Sequence, residues 1–153
     1  MIKSTFGNYL EDFEVGQKIR HALSKTIFES DNNLFSLLTM NHHPVHLNQD
    51  YANAQQHGKI LVVGTLVFSV VVGITVADIS GKAIANLNYE NIIHNGPVFI
   101  GDTLYAETEI LSVRESKSKP DRGIVYVETK AYNQNNDLVL TFRRNVLIPK
   151  RNS

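Results

Sequence analysis

Cysteine is absent from the 153-residue chain. That removes disulfides, thiolate nucleophiles and zinc–thiolate centres together, and it fits a reducing compartment. An excess charge of either sign is missing as well, because fifteen Lys plus Arg stand against fifteen Asp plus Glu. No basic run with interleaved aromatics offers a field for a phosphate backbone, so nucleic acid is not an expected partner. The opening stretch MIKSTFGNYLEDFEVGQ lacks the apolar core of a signal peptide, and the protein reads as cytoplasmic. With 42% apolar residues the chain suffices for one well-buried core, so residues 1–153 are read as a single domain.

Long uncharged runs are scarce too. Ile60 to Ala77, ILVVGTLVFSVVVGITVA, is 18 residues long and lies near the lower limit for a membrane span. Against a span stand the missing Lys/Arg and Trp/Tyr belts at its ends and the polar residues Thr65, Ser69 and Thr75 inside it. No membrane association is expected. Two readings remain: a helix apolar on all sides because it is buried on all sides, or a pair of buried strands favoured by the many valines and isoleucines.

The rest of the chain is strongly β in character. Ile84 to Ile93 is extended in type, and DTLYAETEILSV, Asp102 to Val113, puts Leu104, Ala106, Thr108 and Ile110 on one face. The same alternation sets Val125, Val127, Thr129 and Ala131 against Glu128 and Lys130, and Leu138, Leu140, Phe142, Val146 and Ile148 mostly continue it after the turn tract NQNND. Upstream, Gln17 to Glu29 reads as a further strand. Ser30 or Asp31 then caps a helix with Leu34, Leu37 and Leu38 on one face, Pro44 stops it, and Asn48 caps a short second helix. A large antiparallel sheet has an apolar face to cover, and the Ile60–Ala77 run is the element long enough to cover it. The expected class is therefore α+β, an antiparallel sheet wrapped around one long buried helix from Gly64 to about Ile79.

Four stretches in order carry a likeness to a known family: YLEDFEVGQ from Tyr9, NHHPVHLNQDYA from Asn41, LVVGTL from Leu61 and PVFIGDTL from Pro97. In these the chain resembles the MaoC-like hydratases and dehydratases of acyl-CoA thioesters, whose fold is the hotdog, and FRRNVLIPKR resembles that family's last strand. The wording DNNLFSLLTMN is most similar to the subgroup acting on branched dicarboxylic thioesters such as mesaconyl-, itaconyl- and methylmalyl-CoA. The resemblance implies a single hotdog domain, a homodimer with the acyl-CoA groove between subunits, and no cofactor beyond the coenzyme A of the substrate. It places His46 on the family's catalytic histidine and Pro44 on its proline. The motif's aspartate and asparagine positions hold Asn41 and His43 instead, and its His-Gly before the central helix is Val63-Gly64.

NHHPVHLN gathers three histidines, yet adjacent residues of a turn point apart and no thiolate completes a ligand set, so no metal is expected. His42 and His43 read as polar loop residues, and His46 as the acid/base group. Hydration of an α,β-unsaturated thioester moves one proton at the α-carbon and one at the β-oxygen, and an imidazole titrates where it can serve both directions. Asn41 cannot transfer protons. Three resolutions stay open: His46 serves both protons while Asn41 orients water or hydroxyl, another carboxylate substitutes, or only thioester binding survives. The first is preferred. The enolate-like thioester oxygen needs donors, and the backbone amides of Gly64 and Thr65 at the start of the central helix are the candidates, although a glycine there also serves tight packing. A thioesterase using the same groove, and a non-catalytic acyl-CoA-binding module, are the competing functions.

Overall fold

The computed structural model describes residues 1–152. Period-two alternation in the second half of the chain becomes four long strands: β3 (Ala85–His94), β4 (Thr103–Glu115), β5 (Arg122–Tyr132) and β6 (Leu138–Pro149). With the short β1 (Lys18–Arg20) and β2 (Lys25–Thr26) they form one antiparallel sheet in the order β1-β4-β5-β6-β3, β2 pairing with β4. The alternating residues Leu104, Ala106, Thr108 and Ile110 of β4 and Val125, Val127, Thr129 and Ala131 of β5 are all buried, on the face that meets the helix. The Gln17–Glu29 stretch is not one strand. It breaks between Arg20 and Lys25 because His21 turns its ring fully inside, bonding Asp78 Oδ2 through Nδ1 and Thr108 Oγ1 through Nε2, both at 2.7 Å.

Against the sheet lies α4 (Gly64–Thr75), whose last turn widens into a π-helical turn over Val76–Ser80. The Ile60–Ala77 run is thus helical from Gly64 onward, and no helix among the described residues is long and apolar enough to cross a membrane. This is the hotdog arrangement. The helix is not buried on all sides, however: Leu66, Val67, Val71 and Ile74 enter the core while Thr65, Ser69 and Gly73 leave an exposed strip four residues apart. Phe68, at the border of that strip, meets Tyr89 of β3 and Phe142 of β6 edge-on at 4.9 and 5.1 Å between ring centroids.

Two apolar clusters fill the space under the sheet. One holds Val63, Leu66, Val67, Val71, Leu104, Ala106 and Phe142, and the other holds Leu10, Phe13, Ile79, Ile110, Val125, Val127 and Ile148. Between them runs a polar band, where Thr108 meets Thr129 at 2.8 Å and the guanidinium of Arg144 donates to Thr75 and Ser80 at 2.8 and 3.2 Å. Arg144 occupies the inward row of β6 that the alternation of Phe142 and Val146 predicts to be apolar, and its burial pulls its pKa below the ordinary value. Placing the cation at the C-terminal end of α4, where the helix dipole is negative, offsets part of the cost.

Three short helices bridge β2 to α4: α1 (Glu29–Leu38), α2 (Pro44–Leu47) and α3 (Gln49–Asn53). Asp31 contributes to the start of α1 from its third position, Oδ2 accepting from Phe28 N, and it pairs with Lys25, each at 2.9 Å. That pairing and the backbone bond hold its carboxyl below the usual value. Leu34, Leu37 and Leu38 do share a face, but the face is outward, 59%, 48% and 73% exposed, while Asn32 and Ser36 are buried. Pro44 opens α2 instead of merely ending α1, and Asn48 caps α3 by accepting from Tyr51 N at 2.9 Å.

Candidate active site

The segment from Asn41 to Leu47 is folded by its own side chains. Asn41 Oδ1 accepts from His43 N at 3.3 Å, and His43 Nδ1 accepts from Val45 N at 3.1 Å, so His43 is the N-cap of α2. The sequence pattern gave no sign of that capping role, because histidine is not a usual cap residue. One turn on, His46 points back toward the strand-like segment before α4, with Nδ1 2.6 Å from the carbonyl oxygen of Leu61. A ring nitrogen this close to a carbonyl must carry the proton. The neutral imidazole is therefore the Nδ1–H tautomer, and the lone pair is on Nε2, which bonds no group among the described residues.

The three histidines of the motif do not converge. The rings of His43 and His46 are 6.0 Å apart and tilted by 60°, and His42 is exposed. Among the described residues no group of three or more His, Asp or Glu is placed to hold a metal ion. Nor is Asn41 hydrogen-bonded to His46; its Oδ1 closes the turn, leaving its Nδ2 as the donor available for a ligand. Asp50 lies in the first turn of α3.

Gly64 and Thr65 open α4, and His46 is tied to the segment before them through Leu61. Asn41, His46 and Thr65 are not among the residues that wall the two cavities at this entry. Val62 N donates to Val98 O at 2.9 Å, Val63 N to Asn32 Oδ1 at 3.0 Å, and Leu66 N and Val67 N to Val63 O. The N–H groups of Gly64 and Thr65 are left without an acceptor among the described residues, at the positive end of the helix. A cavity of about 380 Å³ opens there, walled by Leu61, Gly64, Val67, His57, His94 and Gly96 among others. A second, of about 350 Å³, is walled by His43, Val45, Tyr51, His57, Lys59 and Leu61 among others. Leu61, the residue that holds the His46 ring, stands on both walls.

Two features of this mouth were not legible in the chain. The His94 imidazole lies so close over Gly64 that a Cβ on residue 64 would stand 2.9 Å from its Cε1 and Nε2, so glycine serves both packing and access at this position. The buried carboxamide of Asn32 joins the mouth to the histidine loop, donating from Nδ2 to His46 O at 3.0 Å as well as accepting from Val63 N. Lys59 is held over the Phe99 ring at 4.1 Å, and His57 meets the same ring edge-on at 5.3 Å.

The chain is 34% identical over 152 residues to a mesaconyl-CoA hydratase of Cereibacter sphaeroides, a match that covers 99% of the chain and 44% of that protein. It is 30% identical to an (R)-specific enoyl-CoA hydratase of Aeromonas caviae, covering 91% of the chain and 98% of that protein. Among solved structures, a MaoC domain protein from Chloroflexus aurantiacus superposes with a TM-score of 0.93 at 35% identity, over 99% of the chain and 43% of that protein. The chain therefore spans under half the length of the mesaconyl-CoA hydratase and MaoC domain protein it matches, but nearly all of the shorter enoyl-CoA hydratase. The model of the mesaconyl-CoA hydratase family matches residues 3–153, and the chain belongs to that family.

Proposed function

We propose that the chain interconverts an α,β-unsaturated acyl-CoA and its 3-hydroxyacyl-CoA, with His46 as the single proton-transfer group. The bond from His46 Nδ1 to Leu61 O carries this reading, because it leaves the Nε2 lone pair without a partner among the described residues on a ring held by Leu61, itself a wall of the cavity at the start of α4. In hydration, Nε2 takes a proton from water as the water oxygen bonds the β-carbon. The α,β double bond opens toward the thioester, whose oxygen becomes enolate-like and receives the N–H groups of Gly64 and Thr65. The imidazolium then returns a proton to the α-carbon on the same face. Asn41 offers its Nδ2 to the water or the β-hydroxyl and moves no proton. Dehydration is the reverse, and every step uses this chain's own side chains and amides.

The working unit is a homodimer joined along β3. That strand is the edge of the sheet, and it carries Leu87, Tyr89, Ile92 and Ile93, between 40% and 51% exposed, next to the uncovered strip of α4. An apolar, unpaired edge of ten residues calls for a second strand. A branched dicarboxylic acyl chain, as the family name implies, needs a cation close to the thioester. Lys59 is the one lysine or arginine on the walls of these two cavities. Arg143 is engaged by Glu128, and Lys82 donates to Phe6 O. Arg144 pairs with Tyr89, five residues from His94 along β3 and so roughly 16 Å from the mouth.

A panel of mesaconyl-, itaconyl- and crotonyl-CoA, followed at the absorbance of the enoyl thioester, tests the reaction. Loss of that band without release of free thiol is expected. Release of thiol would replace the hydratase by a thioesterase, and binding without either change would leave an acyl-CoA-binding module.

A further inference from the structure

A buried carboxamide costs stability unless its groups are bonded. Asn32, the fourth residue of α1, is 2% exposed with its amide fully aligned: the nitrogen faces the carbonyl of His46 and the oxygen faces the N–H of Val63, each at 3.0 Å. Turning the amide over would set donor against donor and acceptor against acceptor, so one orientation is fixed. Its two partners belong to the two halves of the site. One is the backbone of the proton-transfer residue, and the other is the residue directly before the Gly64 and Thr65 amides.

We propose that Asn32 is a positioning residue, a clamp whose side chain sets the separation between the His46 ring and the donors at the start of α4. The inference rests on the hydratase reading. Through the clamp and the His46–Leu61 bond, the histidine is tied to the 61–63 segment by both backbone and ring. The inward face of α1 carries this amide in place of a leucine, and the helix's leucines are left on the outside. Because a general base must reach its proton within a few tenths of an ångström, loosening the clamp should act on turnover more than on binding.

Two variants of the full chain test it, Asn32→Leu and Asn32→Asp, assayed on crotonyl-CoA well below their melting temperatures, with ¹⁵N NMR of the His46 ring as a second readout. Asn32→Leu is expected to lower kcat by about a hundredfold with KM moved less than about threefold, and to turn the single Nδ1–H pattern of His46 into a mixture of tautomers. Asn32→Asp still accepts from Val63 N–H but donates to His46 O only while protonated, and burial raises the pKa of such a carboxyl. Its kcat relative to the unmodified chain should therefore fall as pH rises, a trend a purely structural asparagine would not produce. A folded Asn32→Leu with kcat within about threefold of the unmodified chain and an unmoved ring pattern would overturn the clamp. If the leucine variant does not fold, a pH-independent ratio for Asn32→Asp overturns it instead. Absence of turnover in the unmodified chain defeats the hydratase reading, and the clamp then stands or falls on the ring signals of Asn32→Asp alone.

Discussion

At its C-terminal end α4 runs into Thr75, Asp78 and Ser80, whose oxygens find Arg144 and His21 inside the chain; at its N-terminal end the lone pair of His46 and the amides of Gly64 and Thr65 find no such partner. Both ends carry a histidine with a bond of about the same length at Nδ1, 2.7 Å for His21 and 2.6 Å for His46. The difference lies in the other nitrogen. For His21 it is used up by Thr108, itself bonded to Thr129, while for His46 it is left open. A polar group satisfied on every side holds the fold together, and one satisfied on every side but one is ready for a ligand.

The comparison is broken most severely at His46. His46→Ala should lower turnover by about two to four orders of magnitude, the range for an acid–base group, with the melting temperature nearly unchanged. His21→Ala should do the reverse.

Arg144→Ala comes next. It removes a large buried side chain and strips Thr75 and Ser80 of their donor, so unfolding in denaturant should show a loss of about 2 to 4 kcal/mol while KM for the acyl-CoA stays put. A rise in KM with unchanged stability would move the polar band into the binding site. A smaller effect is expected at Asn41, where Asn41→Ala costs one orienting hydrogen bond, about 1 to 2 kcal/mol or roughly tenfold to a hundredfold in kcat.

The smallest effect belongs to Asp31. Its carboxyl titrates below the ordinary 3.8 because of the Lys25 bond and then the Phe28 amide, so the stability it contributes is present above that value and is lost as pH falls through the lowered one. Asp31→Asn should lower the melting temperature by roughly 1 to 3 °C at neutral pH, and the two proteins should converge in acid.

Alternation in β4, β5 and most of β6 was enough to read the sheet, because a face that is buried along its whole length repeats every second residue. The helix over Gly64–Thr75 followed from the need to cover that face. Period arguments fail where a polar residue turns inward to meet one distant in sequence. His21 reaches 57 residues to Asp78, Arg144 reaches 69 back to Thr75, and Asn32 reaches 31 to Val63. Each breaks a pattern for a partner that no local window contains. For the same reason the spacing of Leu34, Leu37 and Leu38 sets them on one face of α1 without fixing that this face is the outward one. In the candidate site, the motif points to His46 and the helix entry, while nothing in the sequence marks Asn32, in the first turn of α1, as the amide bonded to the backbone of both His46 and Val63.

The ladder between β3 and β6 slips twice, between Asn86 and Asn88 and again between Glu90 and Ile93, where Asn91 takes a φ of 50°. Bulges bend a strand and sharpen its twist. The open edge of β3 is therefore kinked, and a straight strand from an unrelated protein cannot follow it for more than a few residues. The homodimer proposed above would bring the same kinks in reverse order about a two-fold axis. The irregularity that spoils the ladder on one side thus also guards the other, turning away the flat strands through which exposed sheet edges ordinarily aggregate.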